Sequence, residues 1–111
     1  LGATVNDNTL KRLNCSIIAG AANNQLENEI HHGSMVMEKG IIYAPDFLIN
    51  AGGLINCYSE LHGYNKEAAM SQTEKIYQTT LDIIKMSNNE GIPTYMAANR
   101  LAEERIEENR K

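Results

Sequence analysis

The chain has 111 residues, a formal net charge of -4 and 42% hydrophobic residues. A domain of this length buries roughly two-thirds of its unfolded surface, so it could fold alone, but with little core to spare. Its ten lysines and arginines are scattered, which argues against nucleic-acid binding, and no apolar run reaches the roughly eighteen residues that a membrane span needs.

The cysteines and the start of the chain bear on the cellular compartment of the protein. Cys15 and Cys57 lie inside apolar segments without the spacing of metal ligands, so we expect reduced, buried thiols and no metal site. No signal sequence opens the chain, and disulfides are rare in the cytosol, so we expect a cytoplasmic protein. The sequence begins at Leu1 without an initiator methionine, and we expect it to be a fragment.

The first part of the chain predicts one strand between turns. Leu1 to Val5 has the composition of a strand end or its exit loop, and Asn6-Asp7-Asn8 offers capping side chains for a short helical turn through Leu13. Ser16 to Ala19 is short and β-branched, as in a buried strand, and Gly20 to Asn23 predicts a sharp turn after it.

A second strand is predicted after two short helices. Asn24 to Glu29 predicts a brief helix and His31-His32-Gly33 a polar turn. Ser34 then predicts the start of a helix that Gly40 ends. Ile41-Ile42-Tyr43 repeats the β-branched pattern, so we expect a second buried strand parallel to the first.

Three helices complete the predicted fold. Asp46 is the expected N-cap of a helix that runs through Leu61. Apolar residues at three- and four-residue spacing predict a longer helix from Lys66 to about Asn88, and Thr94 is the expected cap of a final helix. Two strand–helix units followed by helices predict half of a doubly wound domain, in which ligands bind at the carboxyl ends of the strands.

The turn after the first strand carries the first candidate site. Asn23 and Asn24 follow the small residues Ala19 to Ala22. A carboxamide both donates and accepts hydrogen bonds, which suits a nicotinamide amide or a ribose hydroxyl, and small neighbours let a ligand approach the backbone. The alternative is an Asx turn that only caps the next helix.

The helix after Asp46 carries the second candidate site. Asn50, Gly53, Leu54 and Cys57 share one helix face by their spacing. A glycine here costs up to about 1 kcal/mol of helix stability relative to alanine. Either the helix packs closely on a strand, or the glycine leaves space for a substrate whose side chain would meet Leu54 and Cys57.

Four segments occur in one order along the chain: AGAANNQL, APDFLINAGGLIN, YSELHGYN and YMAANRLAEERI. Together they resemble the C-terminal part of the glutamate, leucine, phenylalanine and valine dehydrogenase family, closest to the leucine dehydrogenases. The resemblance implies an α/β fold, the C-terminal half of a Rossmann-type doubly wound parallel sheet with a C-terminal helical tail. It implies that residues 1–63 are the second half of the NAD-binding domain and residues 64–111 are C-terminal helices.

The resemblance also implies roles for individual residues. It gives NAD contacts to Leu1, Gly2, Ala22 and Asn23, with Asn23 at the nicotinamide end. It gives contacts with the reacting amino acid to Asn50, Gly53, Leu54 and Cys57. Leucine dehydrogenases usually carry valine at the last two of these positions, which leaves the preferred substrate side chain open.

The reaction implied is NAD-dependent oxidative deamination of leucine or a similar apolar L-amino acid to its 2-oxo acid and ammonia. This sequence has no G-x-G-x-x-G turn, and the family's catalytic lysine and aspartate lie in a preceding domain, so we predict no catalytic residue here and an inactive isolated chain. Expected partners are the substrate, the product, the remainder of the enzyme and further copies in a homo-oligomer. The alternative is a free-standing, non-catalytic binding or assembly module of the same fold.

Overall fold

A computed structural model describes residues 2–110 of the protein. Among these residues are two strands and six helices. In chain order they are α1 (Asp7–Leu10), β1 (Ile17–Ile18), α2 (Glu29–Glu38), β2 (Ile42–Tyr43), α3 (Asp46–Ile49), α4 (Ala51–Leu61), α5 (Lys66–Glu90) and α6 (Thr94–Arg110). No helix of the described residues is long and apolar enough to cross a membrane.

The two strands pair in parallel, as the sequence predicts, but their predicted burial is wrong, because Ile17 is 62% exposed and Ile42 39% exposed among the described residues. Ile17 lies opposite Ile42 and Ile18 opposite Tyr43, and the Ala44 N–H donates to the Ile18 carbonyl over 2.9 Å. Helix α2 makes the crossover connection that parallel strands require. The carboxyl ends of both strands therefore lie at the same edge of the sheet, where the loops after β1 and β2 meet.

The predicted helix Asn24–Glu29 is wrong. Leu26 instead forms a parallel bridge with Val5, so the backbone of this segment pairs with a distant segment rather than with itself. Helix α2 begins only at Glu29, with Asn28 as its N-cap. His31 and His32, which we predicted in a polar turn, lie inside this helix.

The helix predicted from Asp46 through Leu61 is divided at Asn50, which ends α3 and precedes α4. Asn50 has φ -90° and ψ 5°, a sparsely populated backbone region in which many active-site residues occur. The N-cap is Pro45, one residue before the predicted Asp46. Two glycines directly after Ala51 weaken the propensity to continue one straight helix.

Two groups of buried side chains hold the elements together. The first lies around the sheet, α1 and α2, and the second between α5 and α6; the members are Val5, Leu10, Leu26, Val36, Ile41 and Tyr43 in the first, and Ile83, Ala97 and Ala98 in the second. The Thr94 hydroxyl donates to the Tyr43 carbonyl over 2.6 Å and so joins α6 to the sheet. Leu48 of α3 packs against the second group. The predicted division of the chain into residues 1–63 and 64–111 stays a prediction.

The prediction of buried cysteines is wrong. Both Cys15 and Cys57 are free and exposed. Their apolar neighbours in sequence suggested burial, but Cys57 lies on a side of α4 that the described part of the chain leaves open.

Candidate functional site

The loops that follow β1 and β2 enclose a crevice of about 350 Å³. We call it the amide crevice, and it is lined by Asn23, Asn24, Leu26, Glu29, Tyr43, Asp46 and Phe47. It lies at the carboxyl ends of parallel strands, the place where open α/β sheets bind their ligands.

The loop of residues 20–25 is held in an unusual conformation. Asn24 has φ 54°, in the left-handed region, and its carbonyl accepts the Ala3 N–H over 2.7 Å. A Cβ atom at Gly20 would lie 2.4 Å from Nε2 of Gln25, so this position is restricted to glycine unless the buried Gln25 side chain moves. The loop therefore has a defined shape fixed by contacts from distant segments.

The two asparagines that the sequence singled out lie side by side. The Asn50 Nδ2 donates a hydrogen bond to Asn23 Oδ1, although the residues are 27 apart in sequence. Within residues 2–110, no other hydrogen bond engages the Asn23 amino group or the Asn50 side-chain oxygen. One amide thus offers donors and the other an acceptor to a molecule in front of them.

Two acidic side chains and a tyrosine are among the residues that line the amide crevice. Burial, followed by the charge of Asp46, raises the pKa of Glu29 above its ordinary value. The same two causes raise the pKa of Tyr43 to about 12, so its hydroxyl stays protonated at neutral pH. The two carboxyl groups favour ligand groups that are cationic or that donate hydrogen bonds.

The residues that sequence reasoning missed are Glu29, Tyr43 and Asp46. Tyr43 was recognised only as part of a strand and Asp46 only as a helix cap. The position of Asp46 directly after a strand end was a usable signal, because that is where functional side chains of parallel sheets lie.

The remaining predicted cofactor contacts are near the same edge of the sheet. A Cβ atom at Gly2 would lie 3.4 Å from the Asn23 carbonyl oxygen, so the two residues are neighbours. Ala22 precedes Asn23 and is partly buried. Leu1 lies outside the described residues, and its role stays a prediction.

The predicted substrate residues Gly53, Leu54 and Cys57 lie on an exposed side of α4. The Leu54 side chain is 75% exposed. A Cβ atom at Gly53 would meet nothing within 4 Å, so packing among the described residues does not account for this glycine. The close-packing alternative is not supported at this position.

A separate cluster joins Asp7 of α1 to His31 and His32 of α2. Its potential ligand atoms lie within 4.8 Å of one another. The Nδ1 of buried His32 accepts the Asn28 N–H over 2.9 Å, and its Nε2 lies 2.9 Å from Asp7 Oδ1. Nδ1 is therefore the unprotonated nitrogen, and Nε2 carries the hydrogen that it donates to Asp7. Through these hydrogen bonds Asp7 links α1 to α2.

We predict a pH-dependent loss of stability when Asp7 is replaced. The hydrogen bond from His32, with a further contribution from His31, holds the pKa of Asp7 below its usual 3.8. A carboxyl group with a depressed pKa stabilises the fold above its unfolded-state pKa, and that stabilisation is lost as the pH falls through the folded-state value. Asp7→Asn should therefore unfold at a lower urea concentration than the unmodified chain at neutral pH. The gap between the two midpoint urea concentrations should narrow below pH 3.8.

Urea titrations followed by circular dichroism would measure this gap. Glu103→Gln, at an exposed position on α6, is the matched control and should show no comparable gap. A gap for Asp7→Asn that is equal at every pH would show that the carboxylate charge is not its source.

Comparison with known proteins identifies the family. The model of the Glutamate/Leucine/Phenylalanine/Valine dehydrogenase family matches residues 1–111. The chain belongs to this dehydrogenase family. The leucine dehydrogenase of Thermoactinomyces intermedius is 56% identical over 111 residues, which are 100% of this chain and 30% of that protein.

Other members of the dehydrogenase family match this chain with similar identity and coverage. The L-tryptophan dehydrogenase of Nostoc punctiforme is 51% identical over 111 residues, 100% of this chain and 31% of that protein. The crystal structure of L-tryptophan dehydrogenase from Nostoc punctiforme superposes with a TM-score of 0.97 and 52% identity, and the match covers 99% of this chain and 33% of that chain. This chain thus spans about 30% of the length of the relatives it matches.

Proposed function

We propose that this chain is the carboxyl-terminal part of an NAD-dependent L-amino-acid dehydrogenase. It would form one wall of the active site, and the remainder of the enzyme would supply the catalytic lysine and aspartate. The complete enzyme would deaminate leucine or a similar apolar L-amino acid to its 2-oxo acid and ammonia. A cytoplasmic location and assembly into a homo-oligomer belong to the same proposal.

The observation that carries this proposal is the paired Asn23 and Asn50. The first follows β1 and the second follows β2, and their hydrogen bond fixes both amides at one edge of the sheet. In this arrangement the Asn23 amino group would donate to the nicotinamide end of the cofactor. The Asn50 oxygen would face the reacting amino acid and accept a hydrogen bond from its amino group.

The residues of the amide crevice fit a nicotinamide. The oxidised ring is positively charged, and the Glu29 and Asp46 carboxylates line the crevice, which favours that charge over a neutral group. The chemistry that NAD supplies when bound is acceptance of a hydride from the substrate's Cα. The contribution of this chain is orientation, because a misplacement of about 1 Å can cost about 100-fold in rate.

Helix α4 would hold the side chain of the substrate. Gly53 leaves room beside Asn50, and the exposed Leu54 and Cys57 would form an apolar surface for a branched side chain. An apolar surface of this kind left uncovered in water is typical of a binding face.

The proposal can be tested in a chimera that replaces the matching segment of the Thermoactinomyces intermedius leucine dehydrogenase with this chain. We expect the chimera to form NADH from NAD and L-leucine. Asn23→Ala and Asn50→Ala should each lower kcat/KM by about 100-fold, because each removes a group that positions a reactant. Asn99→Ala, at an exposed position on α6, should leave kcat/KM unchanged.

A chimera that folds and assembles but forms no NADH would contradict the proposal. It would favour the alternative of a non-catalytic binding or assembly module. Equal losses for the Asn23, Asn50 and Asn99 variants would also contradict it, since the two crevice amides would then have no special role.

We predict that Gly53→Ala separates stability from function. In the isolated chain it should raise the free energy of unfolding by about 0.4 to 1 kcal/mol, because alanine favours helix and its Cβ would meet no described atom within 4 Å. In the chimera the same methyl group would occupy space needed by the substrate, and kcat/KM for L-leucine should fall by about tenfold.

Gly52→Ala is the matched control for this prediction. Its Cβ would lie 3.6 Å from Thr73 Cγ2 of α5, an ordinary contact on the side away from Leu54. It should raise stability to a similar extent without changing kcat/KM. Full activity of the Gly53→Ala chimera would show that the substrate does not approach Gly53.

A further inference from the structure

Asp46 connects the two loops of the amide crevice. Its Oδ2 accepts the Gln25 N–H over 3.2 Å, across 21 residues of sequence, and its Oδ1 accepts the Phe47 N–H over 2.8 Å. Each carboxylate oxygen therefore has its own backbone donor, one in the loop after β1 and one at the start of α3.

The Gln25 N–H directly follows the sharpest turn of the loop of residues 20–25 and donates to Asp46. Asn24, directly before it, has φ 54°, in the left-handed region that asparagine adopts more readily than other residues with a side chain, so the chain turns sharply at this point. Residue 23, directly before Asn24, carries the amide that meets Asn50. A restraint at Gln25 thus acts one residue from the left-handed position and two from the amide that meets Asn50.

Asn50 lies four residues after Asp46, and its own N–H donates to the Asp46 carbonyl over 2.9 Å. Helix α3 therefore holds the loop at two points, through the Asp46 carboxylate at Gln25 and through the Asn50 amide at Asn23. The distance between these two points is fixed by a single turn of helix.

We propose that Asp46 is a positioning residue, which holds the loop of residues 20–25 so that the Asn23 amide meets Asn50 and faces the ligand. The kinetic consequence rests on the proposed function, whereas the structural consequence does not. The carboxylate is required because an asparagine has only one oxygen for two backbone donors, and its amino group would oppose one of the N–H groups.

The structural consequence can be measured on the 111-residue chain by nuclear magnetic resonance. In Asp46→Asn the Gln25 backbone amide should exchange with solvent at least about tenfold faster, and the Asn50 side-chain amide signals should move toward those of an exposed asparagine. Asp82→Asn is the matched control, because Asp82 is exposed and, among residues 2–110, accepts a hydrogen bond only from Gln78 within α5. It should change neither signal.

Asp46→Ser provides a second variant in case Asp46→Asn does not fold. Serine is well tolerated at a helix start, but its side chain is too short to bond Phe47 and Gln25 together. The expected changes at Gln25 and Asn50 are the same as for Asp46→Asn. Unchanged signals in a folded Asp46 variant would overturn the proposal.

The kinetic consequence can be measured in the chimera. Asp46→Asn should lower kcat for L-leucine by about tenfold or more, and it should cause no further loss when Asn23 is already alanine. If the double variant instead lost kcat by the product of the two single losses, Asp46 would act independently of Asn23, and the proposal would be overturned. An inactive parent chimera would contradict the proposed function alone, since the resonance measurements would still decide the role of Asp46.

Discussion

The purified 111-residue chain should show no detectable NADH formation from NAD and L-leucine. Any turnover should be at least about 10⁵-fold slower than that of the chimera. Holding two reactants in the correct geometry contributes about 7 to 11 kcal/mol to lowering a barrier, equivalent to effective molarities of about 10⁵ to 10⁸ M. This chain offers one wall of the proposed site, so it can contact a nicotinamide or a substrate but cannot press one against the other.

Absorbance at the NADH wavelength, measured over hours at high chain concentration, would detect even slow turnover. A sample of the Asn23→Ala chain identifies contaminating host dehydrogenases, because their background would be equal in both samples. Turnover by the unmodified chain at a rate typical of enzymes, abolished in the Asn23 variant, would show that these residues form a complete active site.

Local patterns predicted the parts of the fold that depend on local chemistry. The helix from Lys66 was predicted to end near Asn88 and ends at Glu90, because its apolar residues recur at helical spacing. The parallel strands were recognised from β-branched runs that end in small and polar residues. Such patterns indicate the type of an element and require no knowledge of the partner, whereas burial depends on the partner, and Ile17 and Ile42 are exposed in the described chain.

Contacts between distant segments account for the predictions that were wrong. Asn24–Glu29 has a composition compatible with helix, but its backbone pairs with Val5. Cys57 has apolar neighbours in sequence, yet α4 presents it to solvent. In both cases the outcome depends on which segment lies alongside, and spacing within the segment carries no information about that.

The residues of the candidate site also differ in whether local sequence or a distant contact reveals them. Asn23 and Asn50 could be singled out because carboxamides after strand ends are chemically informative by themselves. The role we propose for Asp46 depends on a hydrogen bond to Gln25, and nothing in the order of residues indicates that pairing. Positioning residues are therefore harder to predict from sequence than residues that would touch a ligand.

Cys57→Leu should change the substrate preference of the chimera more than its affinity for NAD. If Leu54 and Cys57 both meet the substrate side chain, the larger residue reduces the space for a branched substrate and leaves enough for a small one. Added volume in an apolar pocket costs about 1 to 3 kcal/mol, and discrimination by one methylene is worth a similar amount, about 1 to 3 kcal/mol.

The ratio of kcat/KM for L-leucine to kcat/KM for 2-aminobutyrate should therefore fall by about tenfold or more in Cys57→Leu. The KM for NAD should stay nearly constant, because Cys57 lies on α4 and outside the amide crevice. Cys15→Leu is the matched control at the other exposed cysteine, and it should leave the ratio unchanged. Equal losses for both substrates in Cys57→Leu would show that residue 57 packs against protein in the complete enzyme, and the exposed face of α4 would then be an interface rather than a substrate pocket.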